Sequence, residues 1–165
     1  MKHVLIPTDF SVRSLNLIRY ALNHFEGERL KITLLHLLDL PTGITDLLFL
    51  GRDHRHLQLL NTDYKDGIQV LLNSQPTAIE SIHTEFLFVG SQRVFNNFIE
   101  SQKIDVIIYP DQYELRMPAA NSVHPARYIK RSKVPVLSVK IARSRQAVPQ
   151  NSLAELMLPL ADVTT

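Results

Sequence analysis

The sequence predicts an α/β domain in which five parallel strands alternate with four helices. Two short apolar runs, residues 3–7 and 31–38, enclose an amphipathic segment, which is the order of a strand-helix-strand unit. The same alternation repeats as far as residue 139. With 165 residues, 45% of them hydrophobic and 21% charged, the chain suits one globular domain rather than a disordered or repetitive protein.

The first helix follows the strand of residues 3–7. Ser11 is a suitable N-cap, because a serine oxygen can accept a hydrogen bond from a free amide of the first turn. Apolar residues then recur every three or four positions, at Leu15, Ile18, Leu22 and Phe25. The helix is expected to end near Gly27, ahead of the second strand, residues 31–38.

A second helix and a second strand-helix pair follow. Residues 55–73 carry helical spacing at Leu57, Leu60, Tyr64, Ile68 and Leu71, with Gly67 as a weak point. Residues 82–89 are predicted to form the third strand, and Gly90 and Ser91 a turn and cap. The inner face of the third helix is expected to consist of Val94, Phe95, Phe98 and Ile99.

The last part of the domain repeats the pattern. Residues 104–109 read as the fourth strand, residues 122–130 as a fourth helix with Pro125 in its first turn, and Val134 to Val139 as the fifth strand. We therefore expect a domain over residues 1–140 and a tail from Ile141 to Thr165. Within that tail, Ser152 to Glu155 has capping-box spacing and predicts a short helix.

Composition excludes several classes of site. The chain has no cysteine, so disulfides, thiolate metal sites and cysteine nucleophiles are absent. The first residues resemble neither a signal peptide nor a membrane span, and we expect a cytoplasmic protein without membrane contact. The net charge is only +2, although no acidic residue lies between Glu114 and Glu155. We interpret the basic segment from Arg116 to Arg145 as a solvated surface and expect no nucleic-acid partner.

Four segments stand in the order and at the spacing of a known family: residues 4–11, 32–39, 89–90 and 132–139. The first reads Val-Leu-Ile-Pro-Thr-Asp-Phe-Ser and the last Ser-Lys-Val-Pro-Val-Leu-Ser-Val. Together they resemble the universal stress protein family over roughly residues 2–140. The resemblance implies a Rossmann-like sheet of order 3-2-1-4-5 with helices on both faces, and a ligand crevice where the order switches, between strands one and four.

The resemblance also implies positions for a nucleotide. In members that bind ATP, the positions matching Asp9 and Leu37 contact the adenosine half, and a glycine-rich loop after strand four holds the phosphates. The equivalent crevice positions in this chain are Thr8, Asp9, Leu37, Tyr109, Pro110, Tyr113, Ser122 and Val123. All five glycines precede strand four, so the loop contains none. Pro110 removes an amide donor, and Asp111 and Glu114 place carboxylates near the phosphate positions.

These observations predict a non-enzymatic stress-response protein that binds no cofactor and does not hold ATP in the family manner. The first alternative is a switch that binds ATP or AMP around Asp9, and the second is an ATP-hydrolysing enzyme. Asp9 itself suits either a ligand contact or a cap for the following helix. His36 is interpreted as a hydrogen-bonded core histidine, and the pair His54 and His56 as a charged turn without metal.

The fifth strand predicts a partner. As an edge strand it would leave backbone groups unpaired, and in the family it commonly pairs with its counterpart across a two-fold axis. We expect a homodimer through Val134 to Val139, with a further protein partner as a second contact. The alternative is that the tail folds over this edge.

Overall fold

Five strands form one sheet in the computed structural model, which describes residues 1–43, 55–111, 114–140 and 152–157. They are β1 (Lys2–Pro7), β2 (Leu30–Asp39), β3 (Ile79–Val89), β4 (Val106–Pro110) and β5 (Val136–Val139). The strands lie in the order β3-β2-β1-β4-β5, and every neighbouring pair is parallel. The predicted fold class and strand order are confirmed, and the strand ends differ from the predicted ones by at most three residues.

Helices cover both faces of the sheet. Among the described residues these are α1 (Val12–His24), α2 (Thr62–Ser74), α3 (Gln92–Ser101) and α4 (Ala126–Lys130), with short 3-10 helices at Arg55–Leu59 and Leu153–Met157. Alternate residues of β1 point to opposite faces, so that Val4 and Ile6 enter one core with α1 and α2 while Leu5 enters a second core with α3 and α4. The sheet is therefore buried from both sides.

Ser11 caps α1 as predicted, because its side-chain oxygen accepts a hydrogen bond from the Ser14 amide at 3.1 Å. Leu15 and Ile18 are fully buried on the inner face of this helix. Past the C-cap residue, Phe25, the chain turns at Gly27 with φ of +84°, a conformation that glycine adopts without strain. The prediction for this helix is confirmed in full.

The prediction of one continuous second helix over residues 55–73 was wrong. The 3-10 helix Arg55–Leu59 ends before Asn61, which starts α2 by accepting a hydrogen bond from the Tyr64 amide at 2.8 Å. The Asn61 amide group also donates to the Phe10 carbonyl oxygen at 3.1 Å, which ties the new helix start to the end of β1. The Asn61 side chain thus caps a new helix at the point where the apolar spacing predicted that the earlier helix would continue.

Two details of the last helices differ from prediction. The fourth helix begins at Ala126 instead of residue 122, because Ser122 and Val123 pair with β2 and Pro125 disfavours helix in the residue before it. Val94 in α3 is 38% exposed instead of internal. Phe95 and Ile99, one turn apart, are buried in the second core against the sheet, and this orientation of α3 leaves Val94 facing the solvent.

The tail segment Leu153–Met157, called here the tail helix, is a 3-10 helix rather than an α-helix. Leu156 is buried beside Gly67 of α2 and joins the first core. Gly67, predicted as a weak point, is a close contact: a Cβ at this position would lie 2.6 Å from Leu15 Cδ1. The domain boundary at residue 140 stays a prediction, since residues 141–151 and 158–165 lie outside the described part.

Candidate functional site

The crevice lies at the carboxyl ends of β1 and β4, where the strand order switches direction. Thr8 and Asp9 follow β1, Leu37 lies near the end of β2, and Tyr109 and Pro110 end β4. The strap, our name for residues 114–123, brings Ser122 and Val123 to the same region. Seven of the eight predicted crevice positions therefore gather here, whereas Tyr113 lies outside the described residues.

Asp9 is only 5% exposed, and its carboxylate accepts hydrogen bonds from its own chain. Oδ1 accepts from the Ser11 amide at 3.1 Å and from the Ser11 hydroxyl. Oδ2 accepts from the Arg116 amide at 3.0 Å. Between Asp9 and Ser11, Phe10 has φ of +61°, an unusual value for a non-glycine residue that these contacts hold in place. The carboxylate therefore both organises the start of α1 and fixes the strap.

The strap also covers the open edge of β2. Beyond the pair formed by Pro7 and Leu35, β2 has no further β1 residue beside it. There the Leu37 carbonyl oxygen accepts from the Val123 amide at 2.9 Å, and the Asp39 amide donates to the Asn121 carbonyl oxygen at 2.7 Å. These two bonds flank an antiparallel bridge that Ser122 forms with β2.

Leu115 anchors the other end of the strap, since its side chain is buried in the first core. The strap is therefore held at Leu115, at Arg116 through Asp9, and at residues 121–123 through β2. Held in this way, it is hydrogen-bonded to Asp9 and Leu37, the two positions at which the family resemblance predicts the adenosine contacts.

Backbone amides at the predicted phosphate positions are already used within the described part of the chain. Pro110 has no amide hydrogen, and the Asp111 amide donates to the Val139 carbonyl oxygen at 2.9 Å. The Ser122 amide donates to the Ala119 carbonyl oxygen at 3.0 Å, and the Val123 amide is bonded to β2 as described above. To bind the amide of Asp111, Ser122 or Val123, an anion would have to displace a sheet or turn hydrogen bond, and Pro110 offers no amide at all.

His36 links β1 to the strap. Its Nδ1 lies 2.7 Å from the Thr8 carbonyl oxygen, and its Nε2 lies 2.9 Å from Ser122 Oγ. Burial lowers the pKa of His36, despite the opposing effects of the Thr8 hydrogen bond and the nearby Asp9 charge. The prediction of a hydrogen-bonded core histidine agrees with this geometry. Sequence spacing gave no sign of the contact with Ser122, because 86 residues separate the two.

A buried polar network supports the crevice from below. Thr8 Oγ1 lies 2.9 Å from Ser14 Oγ and donates to the Tyr64 hydroxyl at 3.2 Å, which in turn lies 3.3 Å from Thr84 Oγ1. Burial raises the pKa of Tyr64 to about 12, so this phenol stays protonated at neutral pH. Burial also raises the pKa of the partly buried Tyr109, and the charge of Asp111 adds to the effect. Neither phenol suits acid-base chemistry near pH 7.

No group of three histidine, aspartate or glutamate side chains in the described ranges is arranged to hold a metal ion. His54 lies outside those ranges, as does the side chain of His56, so the predicted charged turn is not tested. Within the same ranges, no helix combines the length and the apolar character needed to cross a bilayer.

No model of a protein family and no curated protein matches the sequence. Among solved structures, the universal stress protein UspA from Lactobacillus plantarum superposes with a TM-score of 0.53 at 14% identity, over 84% of this chain and 97% of that one. The chain has the universal stress protein fold. The resemblance predicted from the sequence is thereby confirmed at the level of the fold, and identities this low show nothing beyond it.

Two further solved structures superpose on part of the chain. The hypothetical protein PH0823 superposes with a TM-score of 0.51 at 20% identity, over 87% of this chain and 99% of that one. A universal stress protein from Arabidopsis thaliana with AMP bound gives a TM-score of 0.46 at 11% identity, over 85% of this chain and 92% of that one.

Proposed function

We propose that the protein is a cytoplasmic, non-enzymatic stress-response protein that acts through dimerisation and partner binding and does not hold ATP in the manner of its fold family. The observation that carries this proposal is that the polar groups of the crevice are already hydrogen-bonded to the strap, the sheet or a turn, an arrangement that we call the occupied crevice. Asp9 and Leu37, the two positions implied for the adenosine half, bond to the strap, and the described phosphate-position amides bond to sheet or turn acceptors. A triphosphate would have to compete with all of these contacts at once.

A nucleotide titration tests the occupied crevice. A ligand present at 100 times its dissociation constant stabilises the folded state by about 2.7 kcal/mol, which raises the Tm of a domain of this size by about 5 to 10 °C. We expect ATP and ADP at millimolar concentration, with and without Mg²⁺, to leave the Tm unchanged within about 1 °C. A rise that follows ATP concentration and disappears in Asp9→Asn would refute the proposal.

The outer edge of β5 is the proposed dimer contact. Pro135 and Val139 direct their carbonyl groups at β4, where they accept from the amides of Ile107 and Asp111. Because strand residues alternate in direction, Val136 and Ser138 point their backbone groups away from β4. Val136 is also 37% exposed, so the edge offers both hydrogen bonds and apolar surface to a second copy.

Light scattering at micromolar concentration measures the predicted dimer, and a monomer would contradict it. The alternative cover for this edge was the tail. The described part of the tail lies instead against Leu15 and Gly67, in the core shared by α1 and α2. A second copy therefore remains the better candidate for β5.

The second candidate function is a switch that binds AMP or ATP around Asp9. One observation favours it: the fold brings Asp9 and Leu37 to one crevice, as the family arrangement requires. Such a switch would need the strap to move before the ligand could enter. An AMP titration that stabilises the protein, together with a strap that loses protection from hydrogen exchange, would support this candidate over the first. A phosphate-release assay with ATP tests the ATP-hydrolysing alternative, for which we expect no turnover.

A further inference from the structure

Ser122 and His36 have the geometry of a nucleophile and its base. A carbonyl oxygen only accepts hydrogen bonds, so the contact with Thr8 places the His36 proton on Nδ1. In the neutral ring Nε2 is then an acceptor, and the Ser122 hydroxyl donates its proton to it at 2.9 Å. The Ala119 amide donates to the same oxygen at 3.0 Å and orients it. A hydroxyl, a base and a third group that fixes the base are the parts that activate a serine.

The protonation state of the base also fits. Because burial keeps the pKa of His36 below its usual value, the imidazole is neutral at pH 7 and able to accept a proton. Its ring is held on both edges, by Thr8 and by Ser122, and the Phe10 ring lies against it with centroids 4.7 Å apart. The base is therefore fixed in position rather than mobile.

A second pair in the same chain shows what distinguishes this one. His3 Nδ1 lies 2.8 Å from the Gln102 carbonyl oxygen, and Nε2 lies 2.8 Å from Thr33 Oγ1, so the chemistry matches that of His36 and Ser122. Thr33, however, is 2% exposed within the sheet, and no reagent can reach its hydroxyl. Ser122 is partly exposed at the rim of the crevice. Access, not hydrogen-bond geometry alone, separates a reactive pair from a structural one.

We propose that Ser122 is a covalent modification site, at which the hydroxyl accepts an acyl group from a small activated ester with His36 as the base. Ser122 Oγ forms a bond to the ester carbonyl carbon while His36 Nε2 takes the hydroxyl proton. The bond to the leaving alkoxide or phenoxide then breaks, and that oxygen leaves with its electron pair and takes up the proton. The products are an O-acyl serine and a free alcohol or phenol, and no turnover is required.

Acylation has a structural consequence for the strap. An O-acyl serine has no proton to donate, so the hydrogen bond from Ser122 to His36 is lost, and the added group needs space beside the bridge to β2. Modification should therefore weaken the pairing of residues 121–123 with β2. This inference goes beyond the proposed function, which involves no covalent chemistry.

The test uses p-nitrophenyl acetate as the probe on the full chain at pH 7.5, with released nitrophenolate and protein mass measured together. Trypsin cleavage after Arg116 and Arg127 yields the peptide of residues 117–127, in which Ser122 is the one hydroxyl side chain. We expect a single acetyl group on that residue in the wild type, none in Ser122→Ala, and unchanged labelling in Ser132→Ala. Ser132 is the matched control, because it is also partly exposed and its hydroxyl accepts from the Val134 amide, with no hydrogen bond to a histidine in the described part of the chain.

His36→Gln should lower the acetylation rate by about 100-fold or more, in line with the contribution of a general base. Since that variant removes a buried group and could fail to fold, a second pair of variants keeps the test independent of it. The chain has no cysteine, so Ser122→Cys and Ser132→Cys each carry a single thiol. A thiol beside His36 should react with iodoacetamide at pH 7 at least about 10 times faster than the one at position 132.

Four results would overturn the proposal. They are the absence of acetylation above that of the unfolded chain, an acetyl group on His124 instead of Ser122, acetylation of Ser122 that persists unchanged in a folded His36→Gln protein, and equal alkylation rates for the two cysteine variants.

Discussion

Replacing Asp9 by asparagine distinguishes a structural carboxylate from a ligand contact. In the folded protein Oδ1 accepts from Ser11, and Oδ2 accepts from the Arg116 amide at 3.0 Å. Asparagine has the same shape and keeps the first acceptor, but its amide nitrogen takes the place of Oδ2 and faces the Arg116 amide donor. The substitution therefore removes one charge-assisted hydrogen bond and leaves a buried donor without its acceptor.

The expected cost follows from burial and from this mismatch. Loss of a hydrogen bond to a buried charged group, with one partner left unsatisfied, costs about 1 to 3 kcal/mol. For a chain of 165 residues each kcal/mol lowers the Tm by about 2 to 4 °C, so Asp9→Asn should lower the Tm by about 2 to 12 °C. A carboxylate kept for a ligand would behave oppositely, because neutralising it would leave the stability of the unliganded protein unchanged or raised.

Thermal unfolding followed by circular dichroism and urea unfolding at pH 7 measure this difference. Asp111→Asn is the matched control, since Asp111 is exposed at the end of β4 and should change stability by less than about 0.5 kcal/mol. If Asp9→Asn matches the control or is more stable than the wild type, the strap is not held by this carboxylate, and the argument for an occupied crevice fails.

Three further predictions concern pH, the tail and the dimer. Burial lowers the pKa of His3 and His36 in the folded state, so the unfolded chain binds protons first as the pH falls below about 6.5. The free energy of unfolding in urea should therefore be constant above about pH 7.5 and decline toward pH 5.5. A flat pH profile would contradict this prediction. Gly67→Ala should destabilise the protein by about 1 kcal/mol despite the better helix propensity of alanine, because its Cβ meets packed leucines. In a Leu156→Ala background this loss of stability should be smaller, and equal losses in the two backgrounds would show that the tail helix does not share the contact. Val136→Lys places a charge on the proposed dimer edge and should convert the dimer to monomer in light scattering, whereas an intact dimer would move the interface elsewhere.

Local patterns in the sequence predicted most of the fold. The apolar runs, the Ser11 cap and the spacing of Leu15 and Ile18 were sufficient because each reports an interaction within one element or one turn. The error at Asn61 arose where a cap tied to Phe10 competed with helical spacing. That competition involves residues 51 positions apart, which periodicity cannot register.

By itself, the sequence determined the order of the strands and helices and the absence of glycine from the phosphate positions, while its family resemblance implied that Asp9 and Leu37 belong to one crevice. Only the tertiary structure decided what occupies that crevice. The hydrogen bonds that the Arg116 amide donates to Asp9 and the Ser122 hydroxyl donates to His36 join positions 107 and 86 residues apart. Such contacts depend on which distant residues the fold brings together. The Arg116 amide in particular could not be predicted as the partner of Asp9, because every residue except proline has a backbone amide.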